Sequence, residues 1–326
     1  MSSSPAESPV LVEVVRGDLV ESRHRVRVAV TARDGELQAG AGDPDAPMFA
    51  RSSLKPFQAI AMVSQGLDLE GSLLALAAAS HSGEGFHLSG VRRILDGAGL
   101  TVDDLQNTPG LPLAEQARRE WLMAGHGPES IAQNCSGKHA AMLRTCVRAG
   151  WDTGTYLDPQ HPLQRAIAEV LEEYCHNAGM TVSTDGCGAP LFATSLTGVA
   201  HGFGKVAAAT EGPAHELARA YRAHPEYASG STGRNDLVLH RAVPGLVCKV
   251  GAEGVLVAGL PDGRGIAMKV EDGAERALLP LMAVVVGRML GTDALTELTT
   301  APVLGHGKPV GEIRPAEAAA ELLSQL

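Results

Sequence analysis

Apolar and polar positions change rhythm several times along this chain. Residues 10–15 and 26–31 are rich in β-branched side chains, with turn material at Gly17-Asp18 between them and Asp34-Gly35 after them. That pattern predicts two consecutive antiparallel strands. From Phe57 onward the spacing becomes helical. Ile60, Ala61 and Val63 open one helix, Val91, Ile94 and Leu95 mark another before Gly97, and residues 113–124, 139–148 and 163–175 continue in the same period. Strand character returns at 246–250, 255–260 and 265–270. The separating segments Gly251-Ala-Glu-Gly254 and Pro261-Asp-Gly-Arg264 carry hairpin chemistry. Helices close the chain near 276–290 and 316–326. Strands from both ends therefore bracket a helical middle. The expected class is α+β: an antiparallel sheet built from N- and C-terminal segments, flanked by helices, with a mostly helical inserted lobe. The expected boundaries are a disordered N-terminus over 1–8 and one domain over 9–326. Its sheet lobe covers about 9–55 and 244–326, its helical lobe about 56–243.

Charge narrows the function classes. The net charge is −10, from 37 acidic against 27 basic residues, and aromatic residues make up only 3%. Such a field repels nucleic acid and anionic membranes, and no basic run with interleaved aromatics offsets it. No apolar stretch approaches the ~20 residues that span a bilayer; the longest, at 277–286, contains Pro280. The first nine residues lack a basic segment followed by an apolar one, so no secretory leader is expected. Five cysteines, an odd number, need no disulfide framework in a chain of this size. The expected compartment is the cytoplasm.

The sharpest chemistry lies in Phe49-Ala-Arg-Ser-Ser-Leu-Lys-Pro-Phe-Gln58. Ser52 and Lys55 are spaced to share one face of a helical turn. A serine hydroxyl becomes a useful nucleophile only when a base takes its proton. Lysine can serve if its pKa falls from ~10.4 toward ~7, at a cost of about 4 kcal/mol that burial or a second ammonium can supply. Pro56 is tolerated only in a first helical turn, which sets Ser52 at or just before the helix start. There, backbone N–H groups are available to form an oxyanion hole. A lone Ser-x-x-Lys is a weak signal, and a capped helix start is its bland reading. Ala79-Ser-His-Ser-Gly-Glu84, Asn134-Cys-Ser-Gly-Lys-His139, Thr184-Asp-Gly-Cys-Gly-Ala-Pro190 and Gly265-Ile-Ala-Met-Lys269 each concentrate reactive side chains as well. Each alone reads as a capped turn, a core thiol, a loop or a snorkelling lysine.

Together, and in this order, Arg51-Ser-Ser-Leu-Lys-Pro-Phe-Gln58, Ser80-His-Ser-Gly-Glu84, Asn134-Cys-Ser-Gly-Lys-His139 and Asp185-Gly-Cys-Gly188 resemble the rhizobial-type (class 3) L-asparaginases. The likeness runs from about Val10 to Val286. It implies a fold related to serine β-lactamases and glutaminases, a homodimer, and hydrolysis of L-asparagine to L-aspartate and ammonia. It also implies two Ser-Lys pairs. Ser52 with Lys55 is the first, Ser52 being the nucleophile and Lys55 its base. Ser80 with Lys269 is the second, relaying protons. Ser82 is an alternative to Ser80, and Lys249 to Lys269. A zinc site formed by Cys135, Lys138 and Cys187 is implied too, auxiliary to the reaction and not its hydrolytic Lewis acid. An amino-acid substrate needs an acceptor for its ammonium and a donor for its carboxylate; Asp185 and Arg51 suit these tasks.

Three rivals remain at this stage. A β-lactamase or penicillin-binding enzyme would carry Ser-Asp-Asn and Lys-Thr-Gly triplets, which the sequence lacks. A glutaminase differs by one methylene in its substrate, worth only ~1–3 kcal/mol of discrimination. A non-catalytic zinc- or amino-acid-binding protein would need no reactive serine. Gly230-Ser-Thr-Gly-Arg-Asn235 lacks the Gly-Lys-Ser/Thr ending of a P-loop and reads as a flexible loop.

Overall fold

The computed structural model describes residues 7–176 and 181–326. Of the expected disordered leader, 1–6 lie outside the described residues. Ser8 is described, and it donates a hydrogen bond to Glu271 at 2.8 Å.

The described chain opens with β1 (Val10–Arg16), β2 (Leu19–Thr31), β3 (Leu37–Ala41) and β4 (Met48–Phe49). Six helices follow: α1 (Lys55–Ser64), α2 (Gly71–Ala77), α3 (Gly85–Asp96), α4 (Glu115–Met123), α5 (Ser136–Ala149) and α6 (Pro162–Cys175). After β5 (Val182–Thr184) and β6 (Pro190–Thr194) come α7 (Leu196–Ala208), α8 (Gly212–Ala223), α9 (Pro225–Ala228) and α10 (Asn235–Ala242). The chain ends with β7 (Val247–Gly251), β8 (Val255–Gly259), β9 (Gly265–Val270), α11 (Leu278–Leu290), β10 (Ala301–Gly305), β11 (Lys308–Pro315) and α12 (Ala319–Ser324). The class is α+β, as expected.

These elements divide into two compact units. The first gathers the described residues of Met1–Ser53 with Thr194–Ala208 and Val238–Leu326. The second gathers those of Leu54–Ala193 with Ala209–Leu237. Segment 194–208, expected in the helical lobe, belongs instead with the sheet.

The first unit is built on an antiparallel sheet in the order β10-β11-β1-β2-β9-β8-β7, with β3 also paired to β2. Its centre joins the two ends of the chain: Val26, Val28 and Val30 of β2 stand opposite Val270, Met268 and Ile266 of β9. Because side chains alternate across a strand, these residues share one face. There they are buried together with Leu278, Leu281, Met282, Val285 and Val286 of α11. The hairpins read from the late turns are present, β7 pairing β8 and β8 pairing β9. The β10–β11 pair went unread in the sequence, because Pro302 and Pro309 sit inside it and its burial alternates only partially.

Helix α7 packs against β2, β8 and β9. It lies so close that a Cβ at Gly265 would overlap the Ala200 carbonyl, and one at Gly259 the Phe203 carbonyl. This contact explains why 194–208 belongs to the sheet unit. The second unit is a helical assembly in which α1 touches α2, α5, α6 and α8. Residues Lys55 through Met62 of α1 are all buried, so the helix is surrounded on every side.

Gly265→Ala is expected to destabilise the protein by about 3 kcal/mol or more, because the obstacle is helix backbone and not a movable side chain. Urea unfolding of this variant beside wild type measures it; equal midpoints would contradict the close approach.

Candidate active site

Burial on all sides of α1 carries its first residue, Lys55, into the interior of the second unit. The Lys55 amine donates to the Ala79 carbonyl at 2.6 Å, to Ser80 Oγ at 2.9 Å and to Cys135 Sγ at 3.2 Å. Three acceptors match the three donors of an ammonium. Burial lowers the pKa of this amine; Cys135 pulls it back up, and the Lys138 charge lowers it further. The positive end of α1, where Lys55 sits, adds to the same tendency. Pro56 falls in the first turn of the helix, as its chemistry requires.

Ser80 is therefore the serine that meets a lysine within this unit. Ser82 is committed elsewhere, donating to Glu84 Oε1 at 2.5 Å. The segment between them is pinned by His81. Ser136 Oγ donates to the Ile131 carbonyl at 2.7 Å, so it accepts the Nε2–H of His81 at 2.8 Å. Nδ1 of His81 accepts from the Gly83 amide. This is one neutral tautomer, and burial holds its pKa well below the ordinary range. His87 behaves alike: its Nδ1 accepts from the Glu84 amide and its Nε2–H donates to the Glu226 carbonyl. Burial takes its pKa down to about 4.

Cys135 caps α5, and Lys138 lies in that helix's first turn. Cys187 arrives from the β5–β6 turn, which is closed by Asp185 N–H to the Ala189 carbonyl and by Gly188 N–H to the Asp185 carbonyl. The two thiols are buried together and hydrogen-bonded to each other. That hydrogen bond takes the Cys135 pKa well below the usual thiol range, with Lys55 and Lys138 adding to the effect. The same bond, with burial, pushes Cys187 up. The two thiols are thus pushed in opposite directions by one contact. Burial opposes the charge on Lys138, but Cys187, Cys135 and Asp185 overcome it and raise that amine's pKa. Lys138 donates to Cys187 Sγ at 3.3 Å.

The three groups expected to hold a metal thus converge. Two sulfurs are donors that suit zinc, and the amine could join them once Lys138 gives up its proton. Among the described residues, no cluster of three or more His, Cys, Asp or Glu side chains adds to it.

The remaining expected site residues belong to the first unit. Arg51 opens a short 3-10 turn, Arg51–Leu54, that runs directly into α1. Its φ of +54° is left-handed, a strained state for a side-chain-bearing residue. Ser52 follows it and is half-buried. The Lys269 amine is only partly buried; it donates to the Val270 carbonyl at 2.5 Å. Its charged surroundings are Glu271, Arg27, Glu253 and Asp272. Lys249 differs. It is fully buried on β7, opposite in alternation to the core residues Cys248 and Val250. Its carbonyl accepts a weak hydrogen bond from Ser53 Oγ at 3.4 Å. A Cβ on nearby Gly251 would run into the Ala50 carbonyl and Ser53 Oγ. Of the two lysines, Lys249 is therefore on the strand packed against the Ser52 segment.

With this geometry in place, comparisons with known proteins supply the class. The L-asparaginase II family model matches residues 12–315, which include every motif described above. The chain belongs to the L-asparaginase II family, and so to the asparaginase-type amidohydrolases. No functionally curated protein matches it significantly in sequence. Among solved structures it is similar to a β-lactamase from Mycobacterium bovis, at 16% identity over 76% of this chain and 88% of that one, TM-score 0.39. It is also similar to EstCE1, a hydrolase with promiscuous acyltransferase activity, at 12% identity over 84% and 91%, TM-score 0.42.

Because His87 stays neutral in the fold down to about pH 4, while its unperturbed value is 6.5, its contribution to stability is full above pH ~6.5 and is lost as pH falls toward 4. The expected slope is about 1.4 kcal/mol per pH unit from this residue. Urea melts at pH 7, 6 and 5 should show a shallower decline in His87→Asn than in wild type; equal slopes would locate the acid sensitivity elsewhere.

Proposed function

We propose that this protein hydrolyses L-asparagine to L-aspartate and ammonia through an acyl-enzyme formed on Ser52. The observation that carries the reading is the state of Lys55: an amine kept from water, its pKa lowered by burial, one residue beyond the turn that holds Ser52. The lowered pKa brings the neutral form of Lys55 closer, and a neutral amine can accept the serine proton. Family membership supports the amide substrate.

In the proposed sequence Lys55 takes the proton of Ser52 as its oxygen attacks the side-chain amide carbon of asparagine. The C–N bond breaks, and the departing nitrogen receives that proton and leaves as ammonia. Water, deprotonated by the same lysine, then cleaves the ester and frees aspartate. Ser80, hydrogen-bonded to Lys55, is suited to pass protons to and from the amine. Lys249 is the better candidate for the second lysine, because it is fully buried on a strand whose backbone meets Ser53, whereas Lys269 is half-exposed among charged side chains. Arg51 and Asp185 carry the charges that an amino acid's carboxylate and ammonium require. The left-handed backbone at Arg51 agrees with strain stored at a working site.

Cys135, Lys138 and Cys187 would hold zinc, which when bound would fix the thiolate form and supply a positive charge for orienting substrate. A reducing compartment such as the cytoplasm would keep Cys135 and Cys187 as thiols. The homodimer implied by the resemblance belongs to the same reading. No helix among the described residues is long and apolar enough to cross a membrane.

Ammonia release from L-asparagine, with L-glutamine in parallel, tests the function. Wild type should turn over asparagine, and Ser52→Ala should lose about 10³-fold or more in rate. Lys249→Met should lose far more than Lys269→Met. Equal release by wild type and Ser52→Ala would sink the nucleophile. For the metal, elemental analysis should find zinc in wild type and not in Cys135→Ala, and chelation should raise KM more than it lowers kcat. Full activity with unchanged KM in the stripped protein would remove zinc from the reading.

A further inference from the structure

Within the second unit a cavity of about 570 Å3 lies beside the Ser80–Glu84 segment. Ser82, Glu115, Gln116, Arg119, Thr232 and Arg234 contribute to its lining. Two loops that are distant in sequence meet there. Glu84 ties them, accepting from Ser82 Oγ and from the Ser231 amide at 2.9 Å through the same carboxylate oxygen. Gly230 lies so close that a Cβ on it would run into Ser82 Oγ. The segment Gly230-Ser-Thr-Gly-Arg-Asn235 is thus a wall of this cavity.

Arg234 is under-used where it stands. Its Nε is buried without a hydrogen-bond partner and pairs with the Asp236 carboxylate only at 3.6 Å. Asp236 itself is already engaged by Ser229 Oγ at 2.6 Å and by the Leu237 amide. The Arg234 charge also opposes protonation of His81 and His87, so it is felt along the whole Ser80 segment. A guanidinium offers a planar fork of donors that suits a carboxylate in two-point contact. Glu115, also in the lining, is an exposed side chain of the opposite sign on α4 and forms an ion pair with Arg119. Charges of both signs in one lining can meet both ends of a zwitterion.

We propose that this cavity binds a free α-amino acid, its carboxylate on Arg234 and its ammonium on Glu115. The proposal deepens the amidohydrolase reading and rests on it for the choice of ligand, L-aspartate being the product of that reaction. An occupant would brace the two loops that Glu84 joins, and through them the Ser80 that faces Lys55.

Titration calorimetry of the full chain with L-aspartate tests it, comparing wild type, Arg234→Ala and Gln116→Trp, the last filling the cavity. Arg234→Ala should weaken binding about ten- to hundredfold, Gln116→Trp should weaken it too, and both should melt at the wild-type temperature. Succinate, which lacks the ammonium, should bind more weakly than L-aspartate. If Arg234→Ala melts lower, Gln116→Trp decides. Equal affinity in wild type and both variants, succinate binding as tightly as L-aspartate, or no binding to wild type would each overturn the site. Ammonia release by wild type and Ser52→Ala is read separately, so loss of this site and loss of the amidohydrolase reading are told apart.

Discussion

An ammonium with no water around it must be matched by an anion or give up its proton, and much in the second unit follows from how Lys55 meets that demand. Its α1 is enclosed on all sides, so its charge cannot reach solvent. The partner supplied is a sulfur at the start of α5, where a thiolate is favoured by the helix and by two nearby amines. Two lysines then face the same pair of cysteines, Lys55 on Cys135 and Lys138 on Cys187. The outcome is unequal: Lys138, with Cys187 and Asp185 beside it, is pushed up, while Lys55 is pushed down. Two identical side chains are thus set to different proton affinities by their surroundings.

Neutral histidines frame this cluster. His81 and His87 each give one proton and accept one, both through backbone or hydroxyl groups, and so add no charge to a pocket that already carries several. Their burial keeps them so. The Ser80–Glu84 segment is thereby fixed without any ion pair whose strength would vary with salt.

Much of this architecture was legible in the sequence because it is local. Period-two runs and Gly-containing turns gave the β7–β8–β9 hairpins nearly to the residue, and the helical period found α5 and α6. The four motifs identified the family. What stayed hidden depends on contacts between distant segments. Nothing in 194–208 says that Gly259 and Gly265 will admit its helix onto the sheet. Lys249 and Lys269 look alike in sequence, each at an alternating strand position. Only their strands separate them, an edge strand against the Ala50–Ser53 segment for one and the middle of the sheet for the other. Arg234 gave no signal beyond lying in a glycine-bearing loop.

The strand order has a consequence for how the chain is made. β1 and β2 leave a ribosome well before their outer neighbours β11 and β9, with Val12 opposite Pro315 and Val26 opposite Val270. The early hairpin must therefore wait, with unpaired backbone on its outer edges, until β9 and β11 have been synthesised. Open strand edges held for that long invite pairing with other chains. Arg16, Glu21, Arg23, Arg25 and Arg27 crowd this hairpin with charge, which disfavours pairing with a neighbouring copy.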